Sequence, residues 1–543
     1  MKSTNKVKYR ELVRLFRNLR GKQLHLLFFC MLSTVLELYF VYQIQGFVDL
    51  AVSKAPWQEV LKEFGRIGLT GLLAFGAGLY QTRVWHVFRY TLMNQMRTMM
   101  YGKLLKKRAV FFDERTTGDI VSAVMNDGSL IAESAGISVL MLVLNMTKIV
   151  IIIGVLLARN LLLGSVEILV GALYFLAVNR INKKMRENYQ AFSQETANLS
   201  QHLTEDTRAV LEIKTLNEKE FFEKRFYSHI WEKFFQAARR IIRLDVCSYG
   251  VNSLISIIFP VFMVLLGSVF LYRGEITVGC ILLFYTYTQK LVEPLNNMAD
   301  FYRGTQRCVG AADRIYEYLT PEETTEGVRI APEEETRVEL DIRRFAWKEQ
   351  DILNDIHASW KSGDKVFIEG ESGSGKTTLL KLICGFYPVT EGVVKICGRD
   401  AHAIPEEELF DLLKIQFQEP VILEGTLREN VALGGRYEDR EILQILELVQ
   451  LKEFALAHGL DYWIQESGGN LSGGQKQRLA LARVLIRRPR ILIMDEATNG
   501  LDAENERIIL ENIERFVAEN GSILIVTSHK DGLRKICNKK LSL

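Results

Sequence analysis

Eight consecutive residues, Gly370-Glu371-Ser372-Gly373-Ser374-Gly375-Lys376-Thr377, hold the most chemically specific spacing in the chain. Three glycines let the backbone curl so that successive N–H groups point into one concavity, a cradle for phosphate oxygens. Lys376 adds a point charge suited to bridging β- and γ-phosphates, and Thr377 offers a hydroxyl to Mg²⁺. The order matches GxxxxGK[ST], a phosphate-binding loop that needs a strand before it and a helix after it. Lys365-Val366-Phe367-Ile368 supplies the strand pattern, and Thr378 opens a helical run to Ile383 whose positive end faces the anion.

Further along, Ile491-Leu492-Ile493-Met494-Asp495-Glu496 reads as a buried parallel strand ending in two acids. Asp495 is placed to orient Mg²⁺ and Glu496 to polarise a water beside the γ-phosphate. Between the two motifs, Leu471-Ser472-Gly473-Gly474-Gln475 opens another helical run and makes a second anion-binding helix end. A single nucleotide does not require two such ends from one chain. Two copies arranged head to tail would use both.

Strand and helix patterns alternate throughout residues 336–543, the mark of an α/β domain. Before it, residues 321–335 (PEETTEGVRIAPEEE) are charged and turn-rich, a linker. Residues 1–320 are different in kind. Eight basic residues and one acid occupy the first 22 positions, and an apolar stretch from Leu24 to Ile44 follows. Its length and the lack of a small-residue cleavage site predict a membrane span rather than a signal peptide. The basic residues predict a cytoplasmic N-terminus. Further spans are expected at Ile67–Val87, Ile137–Ala158, Leu161–Val178, Ser248–Leu271 and Val278–Leu295, six in all, an even number that returns the chain to the cytoplasm. The long connections after the second and fourth spans are basic and helical in period, so they predict helices projecting into the cytoplasm. Glu37, Lys148 and Glu167 lie inside expected spans, where ionisable groups face a bundle interior or a watery cavity. A Lys148–Glu167 pair across the third and fourth spans is one possibility, although their depths from the turn differ by about four residues, or roughly 6 Å.

The whole chain has 543 residues, 48% of them hydrophobic, and a net charge of +3. That balance excludes long disorder and gives no sign of a nucleic-acid partner. Seven cysteines with no CxxC pair predict reduced thiols, with neither a disulfide framework nor a zinc site.

GESGSGKT, LSGGQ and ILIMDE, in that order, resemble the nucleotide-binding domain of an ABC transporter. Carried over by that resemblance, Trp347 would stack on adenine and Gln418 would sense Mg²⁺ and contact the membrane domain. Asp502 would serve as the D-loop aspartate, and His529 would contact the γ-phosphate. Glu466 lies where exporters carry a loop before the signature. Phe111-Phe112-Asp113, Glu212–Glu218 and Ala311–Ile315 resemble cytoplasmic segments of six-span exporters. The resemblance covers essentially the whole chain. It implies an all-α six-helix transmembrane domain followed by an α/β P-loop ABC nucleotide-binding domain.

The implied activity is ATP-driven export of a drug, lipid or peptide across a bacterial plasma membrane, with ATP and Mg²⁺ as cofactors and the ATPase domain in the cytoplasm. The implied partners are the bilayer and a second half-transporter chain, identical or paralogous. Catalysis would fall to Lys376, Gln418, Glu496 and His529, with Thr377, Gln418 and Asp495 around the metal. Nucleotide contacts would come from Trp347, Gly370 to Thr378, Leu471 to Gln475 and Asp502. The chain departs from the family pattern at Gln465, at Asn499-Gly500 before Leu501-Asp502, and at Lys530, and it stops soon after His529. Those departures keep a heterodimer open beside a homodimer. Siderophore uptake on the same scaffold and an ATP-gated channel or regulator are the remaining alternatives.

Overall fold

The computed structural model describes residues 16–133, 137, 139–320, 334–348, 350–371, 373–498, 502–528 and 531–543. Ser372, Asn499 to Leu501, His529 and Lys530 therefore lie outside the described residues, as does most of the expected linker. The chain separates into two compact units, one of residues 1–106 and 117–320, the other of residues 107–116 and 321–543.

The first unit is helical. Its long helices are α1 (Arg20–Val52), α2 (Trp57–Leu104), α3 (Val139–Arg159), α4 (Leu161–Arg208), α5 (Lys219–Tyr272) and α6 (Val278–Leu319). Among the described residues, α1, α3, α4 and α5 are long and apolar enough to cross a membrane. The other two expected spans lie in α2 and α6, whose length suffices but whose faces carry more charge. Both α2 and α4 run 48 residues, well beyond the roughly 20 that a bilayer needs, so the predicted helical extensions are present. The helix α5 holds two π-helical turns, His229–Phe234 and Leu254–Ile258, where the hydrogen-bond ladder takes an extra residue.

Helix ends fix the bundle's connections. Only Asn160 separates α3 from α4, and its Oδ1 accepts from Leu162 and Leu163 N–H at 3.1 and 3.0 Å, capping α4. At the start of α6, the Thr277 hydroxyl donates to Asp49 at 2.8 Å and Gly279 N–H donates to the same carboxylate at 2.8 Å. This locks the end of α1 to the start of α6. A Cβ on Gly279 would fall 2.3 Å from the Gln45 carbonyl, so this approach requires glycine. Leu38, Ile152, Leu156, Leu163, Met263, Phe284 and Tyr287 fill the centre.

Lys148 and Glu167 do not pair. The Lys148 ammonium lies 3.2 Å from Glu293 and 3.9 Å from Glu37, while Glu167 is bonded to the Thr288 hydroxyl at 2.9 Å. Their unequal depth along the hairpin is the physical reason: each side chain finds a partner at its own level on α1 or α6.

The second unit is built on strands β1 (Arg337–Trp347), β2 (Gln350–Lys361), β3 (Lys365–Glu369), β4 (Glu391–Ile396), β5 (Arg399–Asp400), β6 (Leu413–Gln416), β7 (Ile491–Asp495), β8 (Ile523–Thr527) and β9 (Lys539–Ser542). β3 and β6 to β9 form a parallel sheet in the order β9-β3-β8-β7-β6, and an antiparallel sheet runs β2-β1-β4-β5. Helices α7 (Lys376–Ile383), α8 (Gly473–Leu485) and α9 (Ala503–Asn520) flank these strands in sequence. The central strands β7 and β8 are buried on both faces. Ile491, Ile493, Ile523 and Ile525 point into one core with α7, and Leu492, Met494, Leu524 and Val526 point into another with α8 and α9.

Residues 107–116 belong to this second unit. In their short helix, Ala109–Asp113, the Asp113 carboxylate accepts from the Tyr387 hydroxyl and lies 3.7 Å from the Lys381 ammonium. Arg108 bonds the His402 ring.

Candidate functional site

The parallel sheet brings the two strongest motifs together. β3 ends at Glu369, and the chain curls through the glycine loop into α7. Gly375 has φ +94°, and a Cβ there would meet the Leu353 side chain at 2.6 Å. A Cβ on Gly370 would fall 2.3 Å from Ser374 Oγ. Larger residues at either position would fill the cradle or force it open.

Inside the loop, the Lys376 ammonium is buried and donates to the Gly370 and Glu371 carbonyls at 2.7 and 3.0 Å. Ser374 Oγ is buried with no hydrogen-bond partner, an orphan polar group facing its own loop. Phosphate oxygens fit both observations: they would accept from Ser374 and draw Lys376 from its two carbonyls.

β8 separates β3 from β7 and aligns the acids with the loop. Asp495, 3% exposed, accepts from Thr377 Oγ1 at 3.0 Å and from Thr527 Oγ1 at 2.6 Å. The β7–β8 register places Asp495 opposite Thr527. Glu496 follows with φ +48°, its N–H donating to the Thr527 carbonyl at 3.1 Å. That turn ends the strand and releases the Glu496 side chain towards Gln418, whose Nε2 donates to Glu496 Oε2 at 3.0 Å.

Thr377, Gln418 and Asp495 offer one hydroxyl, one amide and one carboxylate, hard oxygen donors of the kind Mg²⁺ takes alongside phosphate and water. Among the described residues no three His, Cys, Asp or Glu form a ready metal cage. The set fits a metal delivered with a nucleotide better than one held by protein alone.

Trp347 ends β1, and its ring meets Tyr387 edge-on at 4.8 Å between centroids. The Leu471–Gln475 turn opens α8 through a reciprocal capping box: Ser472 Oγ accepts from Gln475 N–H at 3.2 Å, and Gln475 Oε1 accepts from Ser472 N–H at 2.8 Å. Around Gly473 a Cβ would meet nothing within 4 Å, so the turn is open outward. Among the described residues no hydrogen bond joins residues 471–475 to the glycine loop. Asp502 caps α9, held below the usual carboxylate range by the Asn505 side chain and its backbone N–H.

Several supporting residues lie outside the sequence motifs. Thr527 holds Asp495 and the turn after it. Gln477 on α8 donates to the Gln418 carbonyl at 2.9 Å, linking the helix that follows Ser472 to the Glu496 pair. Arg483 on α8 donates to the Asn430 and Val421 carbonyls at 2.7 and 2.6 Å, and burial lowers its pKa to about 10. A threonine at a strand end and a glutamine or arginine in a helix carry no signature of their own. Only strand order and packing mark them.

Comparison with known proteins agrees with this geometry. Residues 24–295 match the ABC transporter transmembrane region family, and residues 353–499 match the ABC transporter family. The chain is 27% identical over 476 residues to an ATP-dependent lipid A-core flippase of Francisella tularensis subsp. holarctica, covering 86% of this chain and 78% of the relative. It is 26% identical over 450 residues to a fatty acid ABC transporter ATP-binding/permease protein of Mycobacterium bovis, covering 82% and 71%. Its fold matches a bacterial Atm1-family ABC exporter with ATP bound at a TM-score of 0.80 and 20% identity, over 97% of this chain and 93% of that one.

Proposed function

The chain belongs to the ABC transporters, membrane proteins in which ATP hydrolysis is coupled to transport, and from that premise we propose that it exports an amphiphilic substrate across a bacterial plasma membrane as one half of a two-chain transporter. The observation that carries the reading is the convergence of four groups at one end of the parallel sheet. They are the glycine loop with its orphan Ser374 hydroxyl, buried Lys376, Asp495 between two threonines, and Glu496 against Gln418.

In the proposed mechanism, the loop N–H groups, Ser374 and Lys376 grip the β- and γ-phosphates of ATP, and Trp347 stacks on the base. Thr377, Gln418 and Asp495 would hold Mg²⁺, which supplies charge neutralisation at the phosphates. Glu496 turns from Gln418 to the attacking water, orients it and receives its proton at a carboxylate oxygen. The outward-open Ser472–Gly473 turn is assigned to the nucleotide of the second chain, because among the described residues it makes no hydrogen bond to the glycine loop of its own chain. The Gln418–Gln477 link then ties the state of Glu496 to α8. Catalysis on this reading is positioning and charge stabilisation, with no covalent intermediate.

The test is vectorial. The full chain, with a paralogous chain where its genome encodes one beside it, is reconstituted into proteoliposomes with the ATPase unit outside. ATP should then drive accumulation of substrate inside, against its gradient. Flux that only dissipates a gradient would indicate a channel and overturn the export reading.

A further inference from the structure

Three helices of the first unit carry a ladder of opposite charges where apolar residues would be expected. Lys290 on α6 bonds Glu37 on α1, and Lys148 on α3 stands 3.9 Å from Glu37 and 3.2 Å from Glu293 on α6. Each charge lies 11 to 15 residues from the connecting end of its helix. At 1.5 Å per residue that is about 16 to 23 Å from that end, which places Glu37, Lys148 and Lys290 inside their expected spans and Glu293 near the far edge of its own, two residues before Leu295. The ladder continues as a polar stripe. Lys290, Glu293 and Asn297 share one face of α6 at helical spacing, Asn145 and Lys148 share one face of α3, and Asn297 reaches Asn145 at 3.4 Å.

Exposure separates the two signs. The Lys148 and Lys290 side chains are 13% and 27% exposed, while those of Glu37 and Glu293 are 44% and 71% exposed. Carboxylates this open within a span or at its edge are accommodated by facing water rather than lipid. The stripe therefore presents acid first, with the ammonium groups behind it. Among the described residues Glu293 has one cation near it, a lysine shared with Glu37.

We propose that this stripe is the substrate-binding wall and that it selects organic cations carried on an apolar body, with Glu293 and Glu37 as the recognising groups. The inference rests on the export reading and narrows its substrate class. An approaching cation gives Glu293 a second partner. An approaching anion meets two carboxylates before it can reach either lysine.

The experiment uses the full chain in lipid nanodiscs without ATP, with empty-disc binding subtracted. The probes are tetraphenylphosphonium and tetraphenylborate, ions of nearly the same shape and opposite charge. Wild type should bind the cation saturably and at least tenfold more tightly than the anion. Glu293→Gln should weaken cation binding about tenfold. Lys148→Gln removes the lysine beside Glu293 and leaves Glu37 with Lys290 alone, and should tighten it several-fold. Opposite shifts from two substitutions in one ladder cannot come from general damage to the fold. Absence of saturable cation binding, tighter binding of the anion, or shifts of the same sign in both variants would overturn the proposal. Because binding is read without nucleotide, failure of the export reading shows up separately, as a protein that binds the cation but accumulates nothing with ATP.

Discussion

Replacing Thr527 by valine tests the least conspicuous support of the site. The shape is nearly kept, but the hydroxyl that donates to Asp495 at 2.6 Å is lost, along with an acceptor 3.2 Å from Glu496 N–H. Thr527 is fully buried, so water cannot replace the bond without rearrangement. Hydrogen bonds to charged groups are worth about 1.5–3 kcal/mol. If the loss is felt at the transition state, that range converts to about a ten- to hundredfold fall in turnover, at roughly 1.36 kcal/mol per factor of ten. The assay is steady-state ATP hydrolysis by the full chain in nanodiscs across a Mg²⁺ titration, beside Thr527→Ser, which keeps the hydroxyl. Serine should remain within a few-fold of wild type while valine falls by the larger factor. Equal loss in both variants would mean that the methyl group matters as much as the hydroxyl, and loss in serine alone would mean that packing of the methyl matters and the hydroxyl does not. Valine at wild-type rate would refute the reasoning outright.

Other substitutions probe separate parts of the site. Gly375→Val places a branched side chain at φ +94° and against Leu353, and should reduce ATP binding by more than tenfold in a fluorescent-nucleotide titration. Tyr387→Phe keeps the ring beside Trp347 but removes the hydroxyl bonded to Asp113. ATP affinity should therefore change less than twofold, while substrate-stimulated hydrolysis falls several-fold. Arg483→Met removes the guanidinium that ties α8 to the Asn430 and Val421 carbonyls, and leaves those acceptors without that donor. It should destabilise the ATPase unit by about 2–4 kcal/mol, seen as earlier proteolysis of residues 334–543 on a temperature ramp.

What the sequence made legible followed from how locally each feature is encoded. The glycine loop, the acids after Ile491–Met494 and the Ser472 turn each depend on adjacent residues, and the turns and strand ends they require are present. The π-helical turns in α5 have no residue signature and could not be foreseen. Thr527 supports Asp495 across a strand pairing 32 residues distant in sequence, which only sheet order reveals. The intramembrane charges show the same limit more sharply. Sequence offered Lys148 its neighbour across the hairpin, whereas the structure pairs it with Glu37 and Glu293, 111 and 145 residues away in sequence. A membrane-embedded charge takes the partner at its own depth, and depth is set by the packing of three helices, not by closeness in the chain.

The central claim is that Glu496, at the end of β7, activates water for ATP hydrolysis in a unit of two chains. The direct measurement is Mg²⁺-dependent ATPase activity of the purified full chain in nanodiscs beside Glu496→Gln, with mass by light scattering, and with a paralogous chain added where one exists. The account predicts a two-chain mass, hydrolysis that requires Mg²⁺, and a Glu496→Gln protein that binds ATP but turns over at least a hundredfold more slowly. A single-chain particle that hydrolyses ATP, or a Glu496→Gln variant as active as wild type, would contradict it.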